Sequence, residues 1–217
     1  MENEYLKKQN EFFTPLLKKH GYSVSALHWG SEASQNQRFI ELLKIFSMVD
    51  TAGAVSLLDM GCGLGHLYKF LKVNGLLENW KIDYTGVDIN EAFLKEAGKQ
   101  LPEAKFRIKD ASIYEEKFDI VLCSGIFNLR FSRDFDIRRY YTQELSRLFN
   151  ASRRGVAVNF QSREGISLIP RRELGKELER FYFHDDNEVM QDLSEITSDI
   201  RISRGYLPND FTVYLLH

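Results

Sequence analysis

The chain is 217 residues long, 43% hydrophobic and 28% charged, enough for one sizeable core with at most a cap and too apolar for wholesale disorder. Its 29 Lys and Arg against 31 Asp and Glu give a net charge of −2, which argues against a surface given over to nucleic acid or anionic lipid. No apolar run approaches the ~18 residues of a membrane span, and the opening MENEYLKKQNEFF has no apolar signal core. Two cysteines make no disulfide framework and no Cys/His spacing resembles a metal site. These features predict a cytoplasmic protein without a metal ion.

Residues 1–50 read as a mainly helical leader. Ser34-Gln-Asn-Gln37 has the spacing of a capping box for a helix carrying Phe39, Leu42, Leu43 and Phe46. From residue 51 strand and helix patterns alternate. Val55–Met60 is a short apolar strand ending in glycines, and Leu64, Leu67, Tyr68 and Leu71 follow at helical spacing, stopped near Asn74-Gly75. Residues 82–88 form a second strand, with Asn90 capping a helix that holds Phe93, Leu94 and Ala97. Strands are predicted at 104–108, 118–123 and 155–160, with a helix over 134–149 between the last two. Asp185 and Glu188 form a capping pair before Val189, Leu193 and Ile196, and 199–204 with 211–216 read as a hairpin.

Such alternation predicts an α/β fold. It is a doubly wound, Rossmann-like sheet of seven strands, mostly parallel with an antiparallel C-terminal strand, behind the helical leader. The four prolines mark no linker, so the division is leader 1–50 and core 51–217. Residues 128–180 carry twelve basic against seven acidic residues, whereas 181–200 carry six acids and no base; both blocks read as solvated faces.

The most informative stretch is Leu57-Leu-Asp-Met-Gly-Cys-Gly-Leu-Gly-His-Leu67. A strand, a glycine loop and a helix bring backbone close to a ligand in front of a helix N-terminus. The spacing is G-x-G-x-G with His66 at the third glycine of the dinucleotide fingerprint, a departure that counts against a dehydrogenase. Asp88 closes the second strand, where a carboxylate can accept both hydroxyls of a ribose. Asp110 follows the third strand and is placed to accept from an adenine amine. Asp59, Asp88 and Asp110 thus end or follow successive strands.

With these residues in place, the chain resembles the class I S-adenosylmethionine-dependent methyltransferases. The resemblance rests on LLDMGCGLG, YTGVDIN, KDASI and FDIVLCSGIFN in that order, and covers residues 50–217. The leader segment LHWGSEASQNQRF is similar to the pre-core segment of small methyltransferases whose substrate is uncharacterised. The resemblance implies S-adenosyl-L-methionine as cofactor, with the Gly61 and Gly63 backbone along its methionine part and Asp59 in the same motif. Asp88 would hold the ribose, Ile89 pack on adenine, and Asp110 with the Ala111 amide read the adenine edge. Ser124 would face the methionine amine. Trp29 would cover the sulfonium and Arg38 pair with the methionine carboxylate; equally, they read as a core aromatic and a helix-surface ion pair.

Methyl transfer needs alignment and exclusion of water more than a general base, and no residue is assigned a catalytic role among His28, His66, His184, Asn128 and Tyr206. The expected reaction is methyl transfer to a small molecule. The alternatives are an RNA or protein methyltransferase, drawing on the basic segment, and a non-catalytic S-adenosylmethionine-binding module. Acceptor selection is expected from leader residues 1–38 and from residues 161–184, both rich in aromatics.

Overall fold

The structure, a computed structural model, describes residues 2–132, 134–164 and 180–217. Helix α1 (Glu2–His20) and a 3-10 turn at Val24–Leu27 lead into α2 (Glu32–Leu43). The core then alternates β1 (Val55–Met60), α3 (His66–Val73), α4 (Leu76–Asn79), β2 (Ile82–Asp88), α5 (Glu91–Gln100) and β3 (Lys105–Ile108). It continues with β4 (Phe118–Ser124), α6 (Ile137–Ala151), β5 (Ser152–Gln161), α7 (Asp186–Ser194), β6 (Asp199–Arg204) and β7 (Asp210–Leu216).

The strands form one sheet in the order β3-β2-β1-β4-β5-β7-β6, parallel except where β7 runs against both its neighbours. This is the expected seven-stranded, Rossmann-like fold. Alternation along the central strands feeds two cores. Leu58 and Met60 of β1, Val121 and Cys123 of β4, and Val213 and Leu215 of β7 pack on one face with α6 and α7. Val55 and Leu57, Ile120 and Leu122, and Tyr214 and Leu216 pack on the other with α2 and α3. Every residue of β7 is buried, which places it inside the sheet, whereas β6 alternates with solvent and forms the edge.

The caps follow elementary chemistry. Asn90 accepts from the Ala92 and Phe93 amides, and Asp185 from those of Asn187 and Glu188, as the sequence predicts. The leader helix differs: its cap is Ser31, whose hydroxyl accepts from the Ser34 amide, so Ser34–Gln37 lies inside α2 rather than starting it. Ser31 is extended, as a cap requires, and the helix gains most of a turn. β5 starts three residues earlier than its apolar run because Ser152–Arg154 continues the ladder beside β4 with exposed or half-buried arginines. α6 starts at Ile137, capped by Asp136. Of the expected acceptor segment 161–184, residues 165–179 lie outside the described residues.

Candidate active site

A cavity of about 440 Å³ opens at the carboxyl edge of the sheet, spanning the ends of β2, β1, β4 and β5. The strand order reverses between β1 and β4, the crevice where doubly wound sheets bind ligands. Its size is that of a small-molecule site.

The floor is the glycine loop after β1. Gly61 and Gly63 have φ of +78° and +54°, the left-handed region open to glycine. A Cβ on Gly61 would collide with Ile126, and one on Gly63 would sit 2.9 Å from Leu27. Both glycines line the cavity, and the lack of side chains there lets Ile126 and Leu27 pack directly on the loop.

Asp88 stands at the end of the neighbouring strand. Gly63 donates its N–H to Oδ2 at 2.8 Å, and Asn90 donates to Oδ1 at 2.9 Å. Burial pushes the Asp88 carboxyl up, opposed by these amides. Each oxygen accepts one such bond, and a carboxylate has about four lone-pair sites in all, so capacity remains for two hydroxyls. Ile89 lies beside it in the cavity wall.

Asp59 is buried behind the loop and accepts from the Tyr84 hydroxyl at 2.6 Å. Burial lifts its carboxyl to about 7, the Tyr84 bond opposes this, and the Asp88 charge adds to it. Asp59 borders a small recess shared with Gln35, His66, Ser124 and Trp29. His66 meets the Gln35 carboxamide at 3.1 Å, and burial lowers its imidazole to about 4, so it is neutral near pH 7. The Ser124 hydroxyl is buried, has no protein partner and borders both spaces.

The leader supplies the opposite wall. Trp29 and Arg38 both line the cavity, and the guanidinium lies 4.6 Å from the centre of the Trp29 ring. Arg38 is not a surface residue: its Nε lies 2.5 Å from buried Asp210, the first residue of β7, and Nη1 donates to the Ser34 carbonyl. An arginine has five N–H donors, so others remain for a ligand. Helix α1 lies across the mouth. Tyr5 donates to the Leu129 carbonyl at 2.7 Å, Asn10 to that of Ile89 at 3.3 Å, and Asn90 to the Thr14 hydroxyl at 3.4 Å.

Trp29, Arg38, Gly61, Gly63, Asp88, Ile89 and Ser124 are therefore brought together, with Asp59 just behind them. Asp110 and Ala111 are not among the cavity's lining residues. Asp110 is exposed and caps the 3-10 turn Ala111–Tyr114 through the Ser112 amide, because β3 is a short strand at the sheet edge. Lys109 lines the cavity there instead, held 2.6 Å from Glu144. Asn128 and Gln161 also line it, and neither was assigned a binding role from sequence. Among the described residues no cluster of His, Cys, Asp and Glu could hold a metal ion, and no helix is long and apolar enough to cross a membrane.

Glycine loop, acidic strand end and sheet order together are those of a class I S-adenosylmethionine-dependent methyltransferase. Residues 57–151 match a methyltransferase domain family. The putative methyltransferase Rv1506c of Mycobacterium tuberculosis is 32% identical over 114 residues, an alignment covering 52% of this chain and 66% of that protein. In fold, the chain is similar to the magnesium protoporphyrin IX methyltransferase ChlM of Synechocystis PCC 6803 solved with bound S-adenosylhomocysteine. The TM-score is 0.56 at 15% identity, over 86% of this chain and 87% of that one. The CurJ carbon methyltransferase gives 0.59 at 13% identity, over 88% of this chain and 57% of that one.

Proposed function

We propose that the protein transfers the methyl group of S-adenosylmethionine to a small acceptor held in the cavity beyond Ser124. The observation that carries this reading is the position of Asp88, fixed by the Gly63 and Asn90 amides beside a glycine loop that lines the cavity. The residues present fit the cofactor. Asp88 offers carboxylate lone pairs to the ribose and Ile89 an apolar side to adenine. The unpartnered Ser124 hydroxyl and the Asp59 carboxylate suit the methionine ammonium, and the remaining Arg38 donors suit its carboxylate.

When bound, the cofactor supplies a methyl group already activated as a sulfonium. The chain's own residues then orient and shield. Trp29 lines the cavity, and its indole offers a π face suited to a cation. Helix α1, within a leader of residues 1–50 acting as a lid on the core of 51–217, closes the mouth and excludes water. A mouth covered by helix favours a small acceptor over a polymer, and a relative of the same fold is named for methylating magnesium protoporphyrin IX.

The test is incubation with S-adenosylmethionine labelled in its methyl group and a cell extract split into small molecules, RNA and protein. The reading expects label in the small-molecule fraction. Label in RNA or protein alone supports the macromolecular alternative, and no transfer despite cofactor binding supports a non-catalytic module.

A further inference from the structure

We propose that Asn128 and Gln161 form the acceptor-recognition pair of the cavity and select an uncharged substrate that presents a hydrogen-bond donor beside an acceptor on an apolar body. This rests on the reading that the cofactor lies along the ends of β2 and β1 with its methionine at Ser124 and Arg38, which leaves the space beyond Ser124 to the acceptor.

The two residues sit at the ends of adjacent strands. Asn128 is four residues past β4, and Gln161 is the last residue of β5. The Gln161 N–H donates to Asn128 Oδ1 at 2.9 Å. That bond fixes which way the Asn128 carboxamide faces, leaving its NH₂ group as the end available to a ligand. Asn128 is 5% exposed and its Nδ2 lies 3.7 Å from where a Cβ of residue 125 would be, beside Ser124 and the proposed methionine site.

Gln161 contributes the complementary atom. Its Oε1 is buried without a hydrogen-bond partner although the residue borders the cavity. A buried carboxamide oxygen without a partner costs free energy that a bound donor recovers. The backbone around both side chains is fixed in advance. Tyr182 donates its N–H to the Asn128 carbonyl, and His184 donates to the Gln161 carbonyl. Donor and acceptor are thus built before any ligand arrives.

Charge selects the rest. Among the described residues, three bearing Lys, Arg, Asp or Glu side chains line the cavity, and each has a protein partner. Arg38 faces Asp210 at 2.5 Å, Lys109 faces Glu144 at 2.6 Å, and Asp88 accepts the Gly63 and Asn90 amides. Leu129, Phe181, Leu207 and Pro208 give the cavity an apolar wall, and Asp210, the strand partner of Gln161, is already held by Arg38. A carboxylate or ammonium on the acceptor would lose its water there and meet, among the described residues, charges that already have protein partners. A neutral group with one donor and one acceptor matches both carboxamides.

The probes are benzamide, benzoate and benzylamine, one apolar ring carrying a neutral, a negative and a positive group. Each is titrated into the protein saturated with S-adenosylhomocysteine and followed by ligand-observed NMR. Benzamide is expected to bind on the order of tenfold or more tightly than either charged probe. Asn128→Asp keeps the acceptor for the Gln161 amide but removes the NH₂ donor, and Gln161→Met keeps the length but removes the oxygen. Each variant should weaken benzamide by about tenfold while still binding S-adenosylhomocysteine. Equal or tighter binding of benzoate or benzylamine, no binding of any probe to the saturated protein, or variants that bind benzamide as the wild type does would each overturn the proposal. Failure of S-adenosylhomocysteine itself to bind overturns the proposed function and with it the premise of this pair.

Discussion

The amide of Gly63 and the carboxylate of Asp88, 25 residues apart in sequence, are joined by a 2.8 Å hydrogen bond that ties the loop after β1 to the end of β2. The bond lets backbone and carboxylate face one cavity in fixed relation. It also makes residue 63 intolerant of side chains. Valine there would carry a β-branched chain at φ +54° and press on Leu27. Gly63→Val should therefore abolish the thermal stabilisation that S-adenosylhomocysteine gives the wild type. Differential scanning fluorimetry with and without the ligand checks this, and a wild-type shift would place the binding site elsewhere.

Asp59 predicts a dependence of stability on pH. Its folded carboxyl titrates at about 7, chiefly through burial, whereas an unfolded aspartate titrates near 4. Between about pH 4 and 7 the folded protein keeps a proton that the unfolded chain has lost. This residue's contribution therefore falls as pH rises through that window and levels off above it. Asp59→Asn still accepts from Tyr84 but carries no charge, so it should be more stable than the wild type at pH 8 by roughly 2–4 kcal/mol. The difference should vanish near pH 4. Urea denaturation at both pH values measures it, and a variant less stable than the wild type at pH 8 would contradict the assignment.

The sheet was legible because alternating apolar residues and cap signals agree: both faces of β1, β4 and β7 can be read from their sequence. The same reading recovered the glycine loop and Asp88, since strand ends fix their positions. It missed the Ser31 cap because Ser34 stands three residues into the same helix with an equally suitable hydroxyl. Asp110 drew attention as an acid after a strand, yet at an exposed sheet edge its carboxylate caps its own turn. The pairing of Arg38 with Asp210, and the meeting of Asn128 with Gln161, join residues distant in sequence without a local pattern. Such contacts follow from the order β4-β5-β7, not from periodicity.

Helix α1 spans both halves of the cavity, so its removal should separate fold from function. Neither sheet-face core contains a buried residue before Phe39, so deleting residues 1–28 should leave the core folded. Loss of the contacts of Asn10 and Thr14 with the Ile89–Asn90 loop should weaken S-adenosylhomocysteine by about fivefold, the size of a loss of about 1 kcal/mol. Methyl transfer should disappear with the lid. Circular dichroism, calorimetry and transfer of labelled methyl check the three parts, and full-rate transfer by the truncated protein would refute the lid.

The most direct test of the account is a calorimetric titration of S-adenosylhomocysteine into the wild type and Asp88→Ala. The wild type should bind one equivalent. The variant, folded by its thermal transition, should lose roughly 1.5–3 kcal/mol, on the order of 10- to 150-fold in affinity, as two hydroxyls lose a charged acceptor. Unchanged affinity in a folded Asp88→Ala protein would contradict the account.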